Sequence, residues 1–498
     1  MSTPSYLSAS ASDSPIALAE EPQAHARETW MDPGRVFWGT CKVVLPMACV
    51  TIYFLSLTDV QPVSSWGRTL ACVNLWICAV PLWMFFVKRQ RTIPFAPFGL
   101  ALYAVYFSLP IFNSTSLFYH SRLLAWEAVD SALAMALLGS VSLVTGLFGT
   151  GFLVSLIPKF KREIDLKRSL PTLAVVTVVA LAFRLVIYRG TGGPFRSIFY
   201  ALSVFGEITS GVLIVAWLRG YLNVGYKALT CALLISVPMM GLALGFLAAA
   251  VVPIAGWIFA YGWERRRIPW AFLVAGVLLL VPLNGAKQEF RTKTWTSSTS
   301  SQLDPAVIVS RAWEFATLAY DHAVAPQAGT EDMTTADESR TNCLGMLALV
   351  VAETPRAIPY WDGYTYSDLL WKFIPRIVVP SKPSPAIGQE FPRRYGIVDY
   401  YDYQTSYNLP QLVEAYINFG PIGIVVVMFV IGLIYAVIDH ACSSTVAGAA
   451  IGCTFLSALL NMESNFTIVF GGLLFSFPFY GLLMRMFPKE ETDVTAPA

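Results

Sequence analysis

Residues 269–286 read PWAFLVAGVLLLVPLNGA, residues 287–291 read KQEFR, and residues 409–437 read LPQLVEAYINFGPIGIVVVMFVIGLIYAV. Two apolar runs of membrane-spanning length therefore bracket a single polar insert, residues 287–408. An insert that long is too large for a simple connector and reads as a functional subdomain. Outward from it, the rest of the chain is an almost continuous series of apolar segments. The 498 residues are 55% hydrophobic and only 13% charged, whereas a soluble chain carries about 25% charged residues. A spanning helix needs roughly 20 apolar residues to cross about 30 Å of hydrocarbon. That ruler picks out about twelve stretches: 36–57, 66–87, 95–112, 132–157, 170–188, 197–218, 228–240, 245–263, 269–286, 412–437, 446–460 and 466–487. The expected fold class is an all-α polytopic membrane protein with one large extramembrane subdomain.

The net charge is only +2, so its distribution carries the information. Basic clusters at Lys88, Arg89 and Arg91, at Lys159, Lys161, Arg162, Lys167 and Arg168, at Arg265–Arg267, and at Arg485 and Lys489 alternate with loops poor in Lys and Arg. The positive-inside rule makes these loops cytoplasmic and places both termini with them. The alternation holds only if 228–263 is two spans, with a tight turn at Gly241 and Gly245. The insert 287–408 then lies outside the cytoplasm. The expected organisation is a disordered tail over 1–35, a membrane bundle of about nine spans over 36–286, the subdomain over 287–408, about three spans over 409–487 and a tail over 488–498. Residues 1–35 lack the apolar core of a signal peptide. Seven of the eight cysteines lie in or beside spans, and Cys343 has no partner within the insert. No CxxC pair or His/Cys cluster marks a metal, and neither a cofactor nor a nucleic-acid partner is expected.

Within the insert, Asp304-Pro305 is a helix start, followed by an amphipathic stripe of Ile308, Ala312, Phe315 and Ala319. Residues 340–352 read as a second helix, apolar along Leu344, Leu347, Val350 and Val351, and 367–373 as a third. Residues 375–407, rich in Pro and Tyr, read as an irregular strap. The insert combines cations (Lys287, Arg291, Arg340, Arg376, Lys382) with aromatics (Trp361, Tyr366, Tyr395 among them). Arg forks suit phosphate oxygens, and Tyr and Trp suit sugar rings. Together at a lipid boundary they point to a lipid-linked sugar phosphate. The same composition would also serve as an interfacial aromatic belt with solvated cations.

Several strings resemble a known family. Phe373-Ile-Pro-Arg376-Ile-Val-Val-Pro-Ser-Lys382-Pro383, and the later Glu414-Ala-Tyr416-Ile-Asn418-Phe419-Gly420-Pro-Ile-Gly423, are similar to segments of the Wzy-type oligosaccharide repeat-unit polymerases, relatives of the O-antigen ligases. Thr354-Pro355 with Gly363-Tyr-Thr-Tyr366, and the run ending in KQEFR, agree with it. The resemblance covers roughly residues 269–487. It implies a metal-independent glycosyltransferase of GT-C type in the bacterial inner membrane. Its substrates would be undecaprenyl-diphosphate-linked oligosaccharides as both donor and acceptor, with a chain-length regulator as a candidate partner.

Carried onto this sequence, the resemblance makes Arg376, Arg291 and Arg340 candidates for the diphosphate and Glu414 a candidate general base. Glu414 reads equally as a first-turn acid complementing a helix dipole. Lys382, Lys287, Arg189, Tyr366 and Tyr395 are substrate-binding candidates. Arg184 and Glu207 are ionisable residues inside spans, where a functional role is the default. Arg184 either joins the diphosphate clamp, with Glu207 as a partner, or snorkels to the surface beside Arg189. A ligase that hands the polymer to another acceptor, and a transporter of the same lipid-linked sugars, are the alternative readings.

Overall fold

A chain immersed in lipid must satisfy its backbone polar groups internally, and helices do so segment by segment. The computed structural model describes residues 33–56, 64–87, 95–112, 118–119, 122–190, 195–265, 270–294, 304–324, 342–372, 374, 378–379, 381 and 386–489. These residues are helical almost throughout. In chain order the helices are α1 (Pro33–Ser56), α2 (Ser65–Val87), α3 (Phe95–Phe107), α4 (Trp126–Gly149), α5 (Gly151–Ser155), α6 (Leu166–Tyr188), α7 (Arg196–Leu218), α8 (Val224–Ala243), α9 (Leu247–Arg265) and α10 (Trp270–Thr294). They continue with α11 (Ile308–Val324), α12 (Cys343–Glu353), α13 (Tyr364–Lys372), α14 (Ile387–Arg394), α15 (Gln411–Cys442), α16 (Val446–Leu460) and α17 (Phe466–Arg485). The described β-structure is one pairing of two-residue strands, Phe118–Tyr119 with Arg122–Leu123. Eight described helices, α1, α2, α4, α6, α7, α8, α15 and α17, are long and apolar enough to cross a membrane. The protein is a polytopic, membrane-embedded helical bundle.

The predicted turn inside 228–263 is present. Gly245 has φ +68°, a left-handed conformation that glycine adopts without a Cβ penalty, and it separates α8 from α9. Gly241 lies inside α8, where a Cβ would come within 2.5 Å of the Ala250 backbone nitrogen, so its hydrogen lets the two helices close on each other. The bundle is organised around α4 and α15. A Cβ on Gly146 would meet the Phe429 carbonyl at 2.1 Å, and one on Gly432 would meet the Leu143 carbonyl at 2.1 Å. Paired small residues of this kind let two backbones touch, which is how helices gain contact in lipid without a hydrophobic driving force.

Three expectations for the insert need correction. Residue 287 is not a structural boundary, because α10 runs unbroken from the apolar run through Lys287-Gln-Glu-Phe-Arg291 to Thr294. These residues are good helix formers. Phe290 is buried edge-on against Phe315, and Lys293 pairs with Glu289 one turn back, an arrangement that supports a helix. The second helix runs over 343–353 and is buried on all sides rather than along one stripe. Every residue from Cys343 to Val350 is buried, as expected for a helix that is apolar all round, and it packs against α4 and α15. The strap over 375–407 contains a helix, α14, despite Pro392. Proline cannot donate to the carbonyl of residue 388, and the Tyr407 N–H takes that carbonyl instead at 2.7 Å. The two tails, apart from residues 33–35 and 488–489, lie outside the described residues.

The described basic segments around 162–164 and 487–489 meet at one end of the bundle. Arg162 donates to the Phe487 carbonyl at 2.7 Å, Ile164 bridges Lys489, and Trp263 donates to the Ser443 carbonyl at 3.0 Å. The insert is seated at the opposite ends of α4, α15 and α17.

Candidate functional site

α15 begins as a helix and breaks nine residues later. Gly420 has φ 61° and ψ −147°, a conformation outside the helical region, and Pro421 follows it. At about 1.5 Å per residue, the 22 residues from 421 to 442 suffice for about 30 Å of hydrocarbon, which leaves 411–419 as a separate short helix at the insert end. A Cβ on Gly420 would lie 2.6 Å from the Tyr360 hydroxyl. The Trp361 N–H donates to the Ile417 carbonyl at 2.9 Å, so the insert satisfies one acceptor at the break.

On this short helix, Gln411, Glu414 and Asn418 follow at i, i+3 and i+7 and therefore share one face. Their exposures are 1%, 0% and 0%. Glu414 accepts the Phe466 N–H through Oε2 at 2.5 Å, which ties it to the first turn of α17. Asn418 donates through Nδ2 to Thr365 Oγ1 at 2.9 Å and to the Glu414 carbonyl at 2.8 Å. Both partners accept, which fixes the amide orientation and turns Oδ1 the other way. Thr467 donates to the Thr365 carbonyl at 2.9 Å, so α13, α15 and α17 meet at Thr365. Tyr366 stacks on Phe419 (6.1 Å, 6°) and meets Phe466 edge-on. Burial first, and the nearby Glu414 carboxylate second, hold its phenol well above the usual tyrosine range. Five buried side-chain atoms here have no hydrogen-bond partner among the described residues: Glu414 Oε1, Asn418 Oδ1, Gln411 Oε1, the Tyr366 hydroxyl and Trp361 Nε1.

A second polar site lies between α6 and α7. Arg184 forms an ion pair with Glu207, and both side chains are largely buried. They line a cavity with Thr177, Ser203, Ser210 and Trp257. Trp257 Nε1 donates to Ser210 Oγ at 2.9 Å, and the Thr177 and Thr209 hydroxyls are bonded at 2.6 Å.

A family model described as a domain of unknown function (DUF8712) matches residues 106–487. The chain belongs to this family. The matched stretch takes in both polar sites and the whole insert, and leaves α1 and α2 outside it. No curated protein and no solved structure matches the chain.

Among the residues singled out from sequence, Glu414 and Tyr366 are brought together. Glu414 is fully buried, with one oxygen accepting the Phe466 N–H and the other among the buried cluster. Arg184 is committed to Glu207 and so does not present an open cation to a diphosphate. Arg291 donates through Nε to the Gly245 carbonyl at 3.0 Å and lies over the Phe246 ring, where it fixes the α8–α9 turn. Lys287 donates to Asn284 Oδ1 at 2.9 Å on the same helix. Arg189 is exposed at the end of α6, its N–H closing that helix on the Leu185 carbonyl. Tyr395 is 2% exposed with its hydroxyl bonded to Thr354 Oγ1 at 2.6 Å; burial pushes its phenol up to about 12, and it offers no face to a sugar. Arg340, Arg376 and Lys382 lie outside the described residues. His322 is largely buried and faces Glu289 Oε2 at 3.2 Å.

Gln411, Asn418, Thr365 and Trp361 are the site residues that the sequence reading did not single out as a group. The signal was present: three amide or acid side chains spaced i, i+3, i+7 before a Gly-Pro pair, at the start of an otherwise apolar span. Thr365 carried no such signal, because its partners are 53 and 102 positions away.

Proposed function

We propose that this protein is an integral-membrane glycosyltransferase of GT-C type with about twelve spans, polymerising undecaprenyl-diphosphate-linked repeat units at the periplasmic face of the bacterial inner membrane. The observation that carries this reading is the seating of the insert. Its helix α12 is buried against α4 and α15, and its residue Trp361 is bonded to the break in α15. A subdomain so anchored holds its remaining surface fixed over the lipid boundary, where a lipid-linked donor and acceptor would have to meet. The polymerase-like string 414–423 spans the break in α15.

In this reading an acceptor hydroxyl attacks the donor's anomeric carbon. The new glycosidic C–O bond forms as the bond to the diphosphate oxygen breaks, and the hydroxyl proton leaves to solvent or base. Charge collects on the departing lipid diphosphate, so preorganised cations are the main catalytic aid. Arg376, supported by Arg340 and Lys382, takes that role. Arg291 is a positioning residue that holds the neighbouring turn.

The test is the glycan profile of cells lacking the protein, with lipid-linked intermediates extracted and sized. Single repeat units on the carrier, with long chains lost, are expected. Full-length polymer still on its carrier would make the protein a ligase, and single units trapped on the cytoplasmic face would make it a transporter. In the same assay Arg376→Ala abolishes elongation at unchanged abundance. Arg376→Lys is also impaired, since a point charge does not replace a bidentate fork.

A further inference from the structure

We infer that the cluster beneath the α15 break is a binding site for one monovalent alkali-metal cation, held by Glu414 Oε1, Asn418 Oδ1 and the Tyr366 hydroxyl. The first argument is charge. Glu414 is 0% exposed and forms no ion pair among the described residues, its hydrogen-bond donors being neutral: the Phe466 N–H and the Thr365 hydroxyl. A buried carboxylate without a counter-charge is costly, and either a proton or a bound cation removes that cost.

The second argument is the kind of atom left unpaired. Three of the five partnerless atoms, Glu414 Oε1, Asn418 Oδ1 and Gln411 Oε1, are oxygens that can only accept when the carboxylate is ionised, and the Tyr366 hydroxyl can also accept. A proton on Glu414 satisfies one of these acceptors. A cation coordinates several at once. The Asn418 oxygen cannot be exchanged for its nitrogen, because Nδ2 already serves two acceptors.

The third argument is the backbone. The short helix 411–419 ends at Gly420, and a helix C-terminus carries roughly half a negative charge on its open carbonyls. Asn418 lies in that last turn, so its amide oxygen and the helix end both favour a cation. Broken helices in membranes supply ion sites in this way.

The class of ion follows from the ligands. Among the described residues no group of three or more His, Cys, Asp or Glu could hold a metal, which speaks against a transition metal or a tightly held divalent ion here. One carboxylate with neutral oxygens matches a singly charged hard cation. Sugars and larger polar ligands are ruled out by burial, since Glu414, Asn418 and Thr365 have no exposed surface.

The experiment uses the purified full-length protein in detergent, at constant ionic strength and pH 7.5. Thermal unfolding is followed in sodium chloride, potassium chloride and N-methylglucamine chloride. A saturable rise in Tm of a few degrees with sodium or potassium over N-methylglucamine is expected. Glu414→Gln should abolish that response, and Asn418→Ala should shift it to higher concentration. Glu414→Gln should also be at least as stable as wild type in N-methylglucamine, because it no longer needs a counter-charge. Should Glu414→Gln fail to fold, the wild-type titration and Asn418→Ala still decide. Equal Tm in all three salts would overturn the proposal. So would a Tm that ignores the cation but rises as pH is lowered, which would assign a proton to Glu414 instead. Neither result depends on whether the protein polymerises glycans.

Discussion

Glu207 and Glu414 are two buried acids in one membrane protein, and they are neutralised in opposite ways. Glu207 meets Arg184 from the adjacent helix, beside hydroxyls that line a cavity. Glu414 meets only neutral donors, the Phe466 N–H and the Thr365 hydroxyl, and no cation among the described residues. The first site is complete within the chain. The second is complete only with something added. A complete ion pair fixes a helix contact, whereas an incomplete one is a place where the environment can act on the fold.

The sharpest way to break this comparison is to make the first site resemble the second. Arg184→Leu strands the Glu207 carboxylate, and removing one partner of a buried pair costs about 3–5 kcal/mol. A large drop in Tm and in membrane abundance is expected. Arg184→Leu combined with Glu207→Leu should recover most of it, and a single variant as stable as wild type would show that the pair is not a fixed contact. Next in size is Glu414→Leu. It leaves the Phe466 N–H without an acceptor, at a cost of about 1–3 kcal/mol, and thermal unfolding should register that loss beside a nearly unchanged Glu414→Gln. A smaller effect is expected from Ser210→Ala, which removes the acceptor of Trp257 Nε1 and should cost about 1 kcal/mol. Smallest is Tyr366→Phe. Its hydroxyl has no partner among the described residues, so stability without alkali cations should stay within about 0.5 kcal/mol of wild type. A larger loss would mean that the hydroxyl is paired and the second site more complete than described.

Much of the fold was legible in the sequence because lipid enforces it. Apolar runs of spanning length became helices, and the turn demanded by the charge alternation is where Gly245 takes a positive φ. What was not legible depended on partners far along the chain. Pro392 suggested an irregular strap, yet the Tyr407 N–H replaces the hydrogen bond that proline removes. KQEFR looked like the start of a loop, yet burial of Phe290 against Phe315 keeps it helical. The polar spacing 411, 414, 418 was open to inspection, but its burial was set by Thr365 and Phe466 from other elements. Of the ten residues chosen for chemistry, Arg340, Arg376 and Lys382 lie outside the described residues, while Arg184, Arg291 and Tyr395 are engaged by Glu207, Gly245 and Thr354. Charge and residue type identify candidates; only packing decides which of them are already occupied.

The break at Gly420 has a consequence for how the chain can vary. Within one uninterrupted helix, every side chain keeps a fixed angular phase relative to every other. Gly420 interrupts that phase relation. Residues 421–442 present Ile422, Val425 and Val426 outward, while Gln411, Glu414 and Asn418 answer to α13 and α17. The orientation of the lipid-facing half is therefore set by its close packing on α4 and that of the polar half by α13 and α17, so each can be tuned by substitution without re-phasing the other.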